Sequence, residues 1–339
     1  MSGQGDLLAE LWSGDPRTTS ELARATGLAR STVRDRLGEL DAAGLLLLPG
    51  RTPSGGRPAA QVRLDPSAGA LVTVWTDADA AHVVVADLLG VPRGSAAVRW
   101  TVDEPADLMG RLVVDTVDTV LPGAAPEMVA LGTRAGPGER MLRDGGAGFT
   151  EVLASSTGAD VVVRPLLGLA ALGEAPAADV LYIVADVPVG AASVVDGDVV
   201  RGADGRAGAV GSLCFPFEQD VTGGAARTLD EVVAQALADP DDPDLHRTAG
   251  RHLGTAVAAL AAILAPQQVV VAARPVLGAA YLAGVRAGVY ARMPPARALD
   301  LSIRLTDLDL HASIARGGST LLHRLCGTPE RLDRLLAAR

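Results

Sequence analysis

The hydrophobic residues at the start of the chain recur at helical spacing in three successive segments. The first is a leucine-containing run that ends at a turn-forming sequence, residues 13–16. The second begins at Thr18, whose spacing to Glu21 is that of a capping box, and it ends before Gly27, which tolerates the positive φ of a sharp turn. These two patterns predict two short helices with apolar positions at Leu7, Leu8, Leu11 and Leu22.

The third segment, residues 29–40, predicts a longer helix with one apolar face. That face holds Val33, Leu37 and Leu40. Ala29 stands where Ser, Thr or Asp normally caps a helix, and the missing cap costs about 1 kcal/mol of helix stability. The residues of its first turns that point away from the apolar face are Arg30, Ser31, Thr32 and Arg34.

Two further apolar runs, residues 45–48 and 61–64, predict strands joined by a loop rich in Gly and Pro that carries Arg51 and Arg57. A surface helix with solvated charges would explain the third helix alone, but the basic hairpin beside it favours a winged helix-turn-helix over residues 1–64. In such a domain the second helix of the motif enters the major groove and the wing reaches the minor groove. The predicted DNA contacts are Arg30, Ser31, Thr32 and Arg34 of the helix and Arg51, Ser54, Gly55, Gly56 and Arg57 of the wing.

After a short linker at residues 65–68, the pattern changes to an α/β body that covers residues 69–339. Asp196 and Gly197 form the dipeptide of a type I′ hairpin turn. Strands are predicted at 71–76, 83–87, 96–100, 128–133, 160–163, 191–195, 199–200, 268–272 and 299–305. Helices are predicted at 106–120, 245–264, 276–290 and 312–326.

The charge balance differs between these two parts of the chain. The whole chain carries 30 basic and 40 acidic residues, a net charge of -10. Residues 1–65 contain eight arginines and eight acids, so the negative excess belongs to the body. The segment from Arg30 to Arg63 contains six arginines and only three acidic residues, so a phosphate backbone can be tolerated there. The acidic chain therefore does not exclude DNA as a partner.

Composition narrows the class of protein further. A chain of 339 residues that is 48% hydrophobic and holds only two cysteines is predicted to be a multi-domain globular protein without disulfides or a zinc site. We expect Cys214 and Cys326 to be ordinary core residues. The first residues are acidic where a signal peptide is basic, and the longest apolar stretch, residues 256–265, is too short to span a bilayer. These features predict a cytoplasmic protein with no membrane partner.

The wing sequence Ser54-Gly55-Gly56-Arg57-Pro58, followed by a body that contains the glycine-rich segment 202–211, resembles the ROK (repressor, open reading frame, kinase) family. Residues 77–79 and 87–90 look like the family's first phosphate hairpin, and 266–271 looks like its late strand. The resemblance implies a winged helix-turn-helix followed by an actin-like (ASKHA, ROK-type) two-lobed α/β domain that dimerises. The implied lobes are a smaller one at 69–165 plus the C-terminal helices at 311–339, and a larger, dimerising one at 166–310.

The residues that the resemblance aligns with kinase chemistry are altered. Leu166 stands at the position of the catalytic Asp, and it cannot take a proton from a sugar hydroxyl. Asp186 and Pro188 stand in the second phosphate loop, where a carboxylate repels phosphate and a proline removes an N–H donor. Ala209 and Ser212 replace the Glu and His of the sugar and zinc sites, and Ala273-Arg274 replaces the paired glycines near adenine. The resemblance thus implies a body with no enzymatic activity, cofactor or metal.

The expected function is a DNA-binding regulator that reads an inverted-repeat operator as a homodimer. The body would act as a dimerisation module or as a sensor of a small-molecule effector, a sugar or another metabolite. Weak effector contacts are predicted at Arg134, Gly136 and Gly208, although a solvated loop would also explain the first two. The alternative is a sugar kinase with a DNA-binding arm, which the loss of the catalytic Asp disfavours.

Overall fold

A computed structural model describes residues 4–47, 61–77, 79–101, 104–133, 147–175, 178–202, 207–215 and 227–337 of the chain. The described residues form two compact units. The first unit is drawn from residues 1–132, 140–163 and 319–339, and the second from residues 133–139 and 164–318. The domain boundaries expected from the sequence stay predictions.

The N-terminal part of the first unit has the helices and strands of a winged helix-turn-helix. Three short strands form an antiparallel sheet in the order β1-β3-β2. The predicted helices and the predicted strand pair are confirmed, whereas the first strand, which pairs with β3, was not predicted. The elements are α1 (Gln4–Ala9), β1 (Arg17–Thr18), α2 (Thr19–Thr26), α3 (Arg30–Ala42), β2 (Leu46–Leu47) and β3 (Gln61–Leu64).

The rest of the first unit is built on a five-stranded mixed sheet in the order β6-β5-β4-β7-β8. Strand β4 pairs antiparallel with β5 and parallel with β7, and its central position explains why its residues are nearly all buried. The elements are β4 (Ala70–Thr76), β5 (Ala80–Asp87), β6 (Pro92–Arg99), α4 (Ala106–Val120), β7 (Pro126–Thr133), α5 (Ala147–Thr157) and β8 (Asp160–Pro165).

The second unit contains another five-stranded sheet, in the order β11-β10-β9-β14-β15. Asp196 and Gly197 join β10 to β11 with φ angles of 51° and 76°, which confirms the predicted type I′ turn. The elements are α6 (Leu166–Glu174), β9 (Val180–Ala185), β10 (Gly190–Val195), β11 (Asp198–Val199), β12 (Cys214–Phe215), β13 (Arg227–Thr228), α7 (Leu229–Ala238), α8 (Pro243–Leu264), β14 (Gln268–Ala273), α9 (Gly278–Tyr290), α10 (Pro295–Asp300) and β15 (Ser302–Leu305). Helices α11 (Leu310–Cys326) and α12 (Pro329–Ala337) end the chain.

Two sequence predictions in the second unit are wrong. The strand predicted at residues 299–305 starts only at Ser302, because α10 occupies the preceding residues and Pro295 favours a helix start there. Leu299, which the strand prediction would have buried, is 86% exposed. Cys214 is exposed rather than buried, because β12 pairs, among the described strands, only with the two-residue strand β13.

The helix-turn-helix shares a hydrophobic core with the rest of the first unit. One core cluster contains Leu40 of α3, Leu71 of β4, Leu88 of the turn after β5, and Leu322 and Leu332 of the C-terminal helices. Cys326 is buried in the same cluster, as predicted, and burial raises the pKa of its thiol to about 12. The helix-turn-helix therefore packs against the rest of the first unit, and is not held to it by the chain connection alone.

Residues at the start of the chain make close contacts with the two C-terminal helices, α11 and α12. The backbone N–H of Gly5 donates to Asp333 Oδ1 at 2.6 Å, and a Cβ atom on Gly5 would lie 2.2 Å from the carbonyl oxygen of Pro329. The Trp12 indole N–H donates to the carbonyl oxygen of His323 at 2.9 Å, and the two rings stack with centroids 5.5 Å apart. These contacts fix α1 against the end of the chain.

Among the described residues, no helix combines the length and the apolar character that crossing a membrane requires.

Candidate functional site

The turn before α3 has the geometry that the sequence predicts. The Thr18 hydroxyl accepts from the backbone N–H of Glu21 at 3.2 Å, and the Glu21 carboxylate accepts from the backbone N–H of Thr18 at 2.7 Å. The hydrogen bonds from Thr18 hold the pKa of Glu21 below its usual range. Gly27 ends α2 with a φ of 70°, so the chain turns sharply into α3.

Helix α3 separates a buried face from an exposed one. Val33, Leu37 and Leu40 are all buried, as the spacing predicts. Ala29 precedes the helix in an extended conformation and makes no side-chain capping hydrogen bond, so the predicted capping defect is present. Burial of the three apolar side chains holds α3 in place without that cap.

The exposed face of α3 carries three of the four DNA-contacting side chains that are predicted on this helix. Arg30, Ser31 and Arg34 are exposed, whereas Thr32 is half-buried on the flank of the helix. Asp35 is also exposed and lies four residues after Ser31, so the two side chains share one surface of the helix. Asp35 was not among the predicted contacts, although an acceptor-only side chain there matches the amino group of cytosine.

The base of the predicted wing is ordered as a hairpin. Leu46 pairs with Leu64 and Leu47 with Arg63 in antiparallel register. Leu64 is buried and Arg63 exposed, as expected for strands with one face on the core. The predicted wing contacts lie outside the described residues: Arg51, Ser54, Gly55, Gly56 and Arg57.

The second unit contains a cavity of about 360 Å³. It lies between the start of α6, the segment after β9, the start of β10, and residues 207–212. Five of the positions that the resemblance aligns with kinase chemistry line this cavity, together with one of the predicted effector contacts. These lining residues are Leu166, Asp186, Pro188, Ala209, Ser212 and Gly208. Ala273 and Arg274 are not among the lining residues.

Gly208 is needed where it stands for a steric reason. Its φ of +100° favours glycine, and a Cβ atom would lie 1.8 Å from the carbonyl oxygen of Ala191. The backbone N–H of Ala191 donates to the carbonyl oxygen of Gly208 at 2.8 Å, so this segment is bonded to β10. The other two predicted effector contacts, Arg134 and Gly136, lie outside the described residues.

The chemistry of the cavity wall is mainly aliphatic. Leu166 is only 3% exposed. Neither its side chain nor those of its lining neighbours, Pro165 and Leu167, can accept a proton. Among the lining residues, only Asp186 and Asp230 are ionisable, and both are acids. The wall that the structure describes can therefore hold an apolar group and a positive charge.

The sequence reasoning missed Asp230, although a local signal was present. Thr228 and Glu231 form a capping box at the start of α7, which places Asp230 in the first helical turn. Its Oδ1 accepts from the backbone N–H of Val189 at 2.6 Å. This bond links α7 to the segment at residues 186–190, which the resemblance aligns with a second phosphate loop.

The segment that resembles the first phosphate hairpin belongs to the first unit and is occupied by a carboxylate. Asp77 Oδ1 accepts from the backbone N–H groups of Asp79 and Ala80 at 3.0 and 2.9 Å, and Oδ2 lies 2.6 Å from His82 Nε2. Burial raises the pKa of Asp77, but these hydrogen bonds outweigh it and lower the pKa to about 2. The backbone donors of this turn therefore already bind an anion, the Asp77 carboxylate.

Protonation of Asp77 is expected to destabilise the first unit at low pH. The pKa of the carboxyl is lower in the folded chain than in the unfolded one, so its contribution of up to about 2 kcal/mol is present above pH 4 and is lost as the pH falls towards 2. Urea unfolding at a series of pH values measures this loss. We expect Asp77→Asn to be less stable at pH 7 and less sensitive to acid, and Asp79→Asn to keep the original profile. Parallel profiles for Asp77→Asn and the original chain would contradict this assignment.

Residues 4–48 match a family model described as a helix-turn-helix domain. No curated protein matches the chain in sequence. The match to the family model confirms the helix-turn-helix that the sequence predicts at the start of the chain.

Solved structures of ROK proteins share the fold of this chain. One is a ROK family transcriptional regulator, a homolog of the E. coli MLC protein. The match covers 99% of this chain and 98% of the regulator's chain, with a TM-score of 0.74 and 15% sequence identity. The ROK hexokinase from Thermus thermophilus covers 74% of this chain and 98% of its own, with a TM-score of 0.58 and 19% identity. The match to glucokinase from Parabacteroides distasonis covers 76% of this chain and 98% of the glucokinase chain, with a TM-score of 0.57 and 14% sequence identity. The chain therefore shares the fold of these proteins, and over nearly its whole length it shares that of the regulator, with a helix-turn-helix followed by an α/β body.

Proposed function

We propose that this chain is a DNA-binding transcriptional regulator of the ROK type. One observation carries the proposal: α3 buries Val33, Leu37 and Leu40 and leaves Arg30 and Arg34 exposed on a helix-turn-helix. A helix held in this way can present cations and hydroxyls to a groove. Its place as the second helix of a helix-turn-helix, beside the β2–β3 strand pair, favours this role over that of a surface helix with solvated charges. The likeness of the whole chain to a solved ROK regulator supports this function.

The proposed DNA contacts divide between two parts of the winged helix. Arg30, Ser31, Thr32 and Arg34 would lie in the major groove, where an arginine can bind guanine through two hydrogen bonds. Arg51 and Arg57, with Ser54, Gly55 and Gly56, would approach the flanking minor groove. The exposed Arg63 at the base of the hairpin is placed to contact the phosphate backbone between the two grooves.

A homodimer is the proposed binding form. One helix-turn-helix reads too few base pairs to compete with the non-specific sites of a genome, whereas two copies related by a two-fold axis read an inverted repeat. The protein would act in the cytoplasm, associated with the nucleoid when it is bound to DNA. The larger lobe of the body, residues 166–310, is the part proposed to dimerise.

The body is proposed to sense a ligand rather than to catalyse a reaction. Leu166 lies buried in the wall of the cavity at the position that the resemblance gives to a catalytic Asp, and aliphatic carbon cannot accept the proton of a sugar hydroxyl. Asp186 and Asp230 line the same cavity and would repel a transferred phosphoryl group. We therefore propose no enzymatic activity and no cofactor, and phosphoryl transfer to a hexose by the purified chain would contradict this part.

Selection of DNA from a random duplex library by the purified full-length chain tests the proposed function. We expect the selected sequences to contain an inverted repeat whose half-sites lie about one helical turn, roughly 10 base pairs, apart. Footprinting of a selected duplex should then show protection on the same face of both half-sites. Enrichment of no sequence, with binding that stays equal for all duplexes, would contradict a sequence-reading regulator.

A further inference from the structure

The cavity of the second unit also indicates what class of ligand it takes. We propose that it binds a small molecule that has an apolar body and one positive charge, with the charge held by Asp230. This inference rests on the ligand-sensing role proposed for the body, and it replaces the sugar that the resemblance suggests.

The size and the wall of the cavity favour an apolar ligand body. A volume of about 360 Å³ is in the range of cavities that enclose small organic molecules. A sugar buried against an aliphatic wall would leave several hydroxyl groups without hydrogen bonds, each at a cost in binding free energy. The aliphatic lining includes Leu166, Leu167, Val187, Val189, Val199 and Leu310.

The two carboxylates of the lining are not equivalent. Asp186 already pairs with Arg274, whose Nε lies 3.0 Å from Asp186 Oδ2. Asp230 has one oxygen, Oδ1, bonded to the backbone N–H of Val189, and no described residue donates a hydrogen bond to its other oxygen. Asp230 therefore brings a negative charge to the cavity that no described basic residue neutralises.

The carboxylate of Asp230 is also held in a fixed position. Its own backbone N–H donates to the carbonyl oxygen of Gly211 at 2.9 Å, and a Cβ atom on Gly211 would lie 2.1 Å from Asp230 Oδ1. Gly211 thus allows the backbone to lie directly against the carboxylate. A rigid acceptor beside an aliphatic wall is complementary to an ammonium group on an apolar body, because the salt bridge forms without ordering a flexible side chain.

Matched sets of compounds that differ only in charge test the proposal on the full-length chain. The first set is tryptamine, tryptophol and indole-3-acetate, and the second is heptylamine, heptanol and heptanoate, with glucose as the sugar. We expect calorimetry to show the amine of at least one set binding at least tenfold more tightly than its alcohol, with the carboxylate and glucose weaker still. An alcohol or carboxylate that binds as well as its amine in both sets, tighter binding of glucose, or no binding by either set would overturn the proposal.

Two variants separate the carboxylate from general effects. Asp230→Asn keeps an oxygen that can accept from Val189 and removes the charge, so we expect it to lose the preference for the amine and to keep the affinity for the alcohol. Asp241→Asn removes a charge from an exposed loop of the same unit and should change neither. An amine preference that survives in Asp230→Asn would exclude Asp230 as its cause.

DNA binding by the same preparation distinguishes the two proposals. A chain that binds its selected duplex and shows no preference for the amines refutes only the ligand class. A chain that binds neither DNA nor any compound refutes the regulatory function on which the ligand class rests.

Discussion

Replacing Arg30 and Arg34 together by alanine is expected to lower the affinity for the selected operator by about 100-fold or more. Each arginine that contacts a base or a phosphate is worth about 1–3 kcal/mol, and the two side chains lie one turn apart on the exposed face of α3. Fluorescence anisotropy with a labelled duplex measures the loss. Titrations at several salt concentrations should also give a smaller slope of log affinity against log salt concentration. The slope should fall by about one to two, because fewer counterions are released from the DNA.

The second unit offers a matched control for this double substitution. Arg247 and Arg251 are exposed, have the same four-residue spacing, and lie on α8. Their joint replacement by alanine removes the same charge, so we expect it to leave specific binding unchanged within about threefold. Equal losses in the two double variants would mean that net charge, not the α3 face, accounts for binding. Thermal unfolding should be nearly the same in all three proteins, because the replaced side chains are exposed.

Gly317→Ala is expected to destabilise the second unit by about 3 kcal/mol or more, the largest effect that we expect from a single methyl group. Helices α6 and α11 touch through their backbones at this point. A Cβ atom on Gly317 would lie 1.7 Å from the carbonyl oxygen of Leu169, and one on Gly173 would lie 2.0 Å from that of Ser313. Backbone atoms cannot rotate away as a flexible side chain can, so the helices must separate. Urea unfolding monitored by circular dichroism measures the change.

Gly38→Ala makes the same chemical change where there is space. Gly38 lies within α3, and nothing comes within 4 Å of the position that its Cβ would take. Alanine there should stabilise the chain by about 0.5–1 kcal/mol, because it restricts the unfolded chain and favours the helix. If the two alanine variants had similar stabilities, the close approach of α6 and α11 would not be a tight steric constraint.

Local interactions account for the parts of the site that the sequence predicts well. The capping box of Thr18 and Glu21, the turn at Gly27 and the apolar face of α3 each depend on residues at most seven positions apart. The hairpin turn at Asp196 is predictable for the same reason, since both of its central residues need positive φ. Such features can be deduced from a sequence because their interacting groups are near neighbours along the chain.

The wrong predictions involve residues whose state depends on distant partners. Apolar and polar residues alternate over residues 299–305, which is the pattern of a strand, yet α10 ends only at Asp300 and β15 starts at Ser302. Cys214 lies in an apolar context, yet its two-residue strand pairs at the surface. The local pattern of apolar residues does not specify whether a distant part of the chain will pack over that segment and bury it.

The sequence by itself determined the helix-turn-helix and the apolar and cationic faces of α3, because periodicity and turn residues report local conformation. The fold of the body was implied only by the resemblance to ROK proteins. Only the tertiary structure placed Leu166, Pro188, Gly208 and Asp230 around one cavity. It also packed the helix-turn-helix onto the C-terminal helices through a shared core. Hydrophobic spacing shows which face of an element is buried but not which faces meet, and the meeting of faces decides the charge and shape of a binding site.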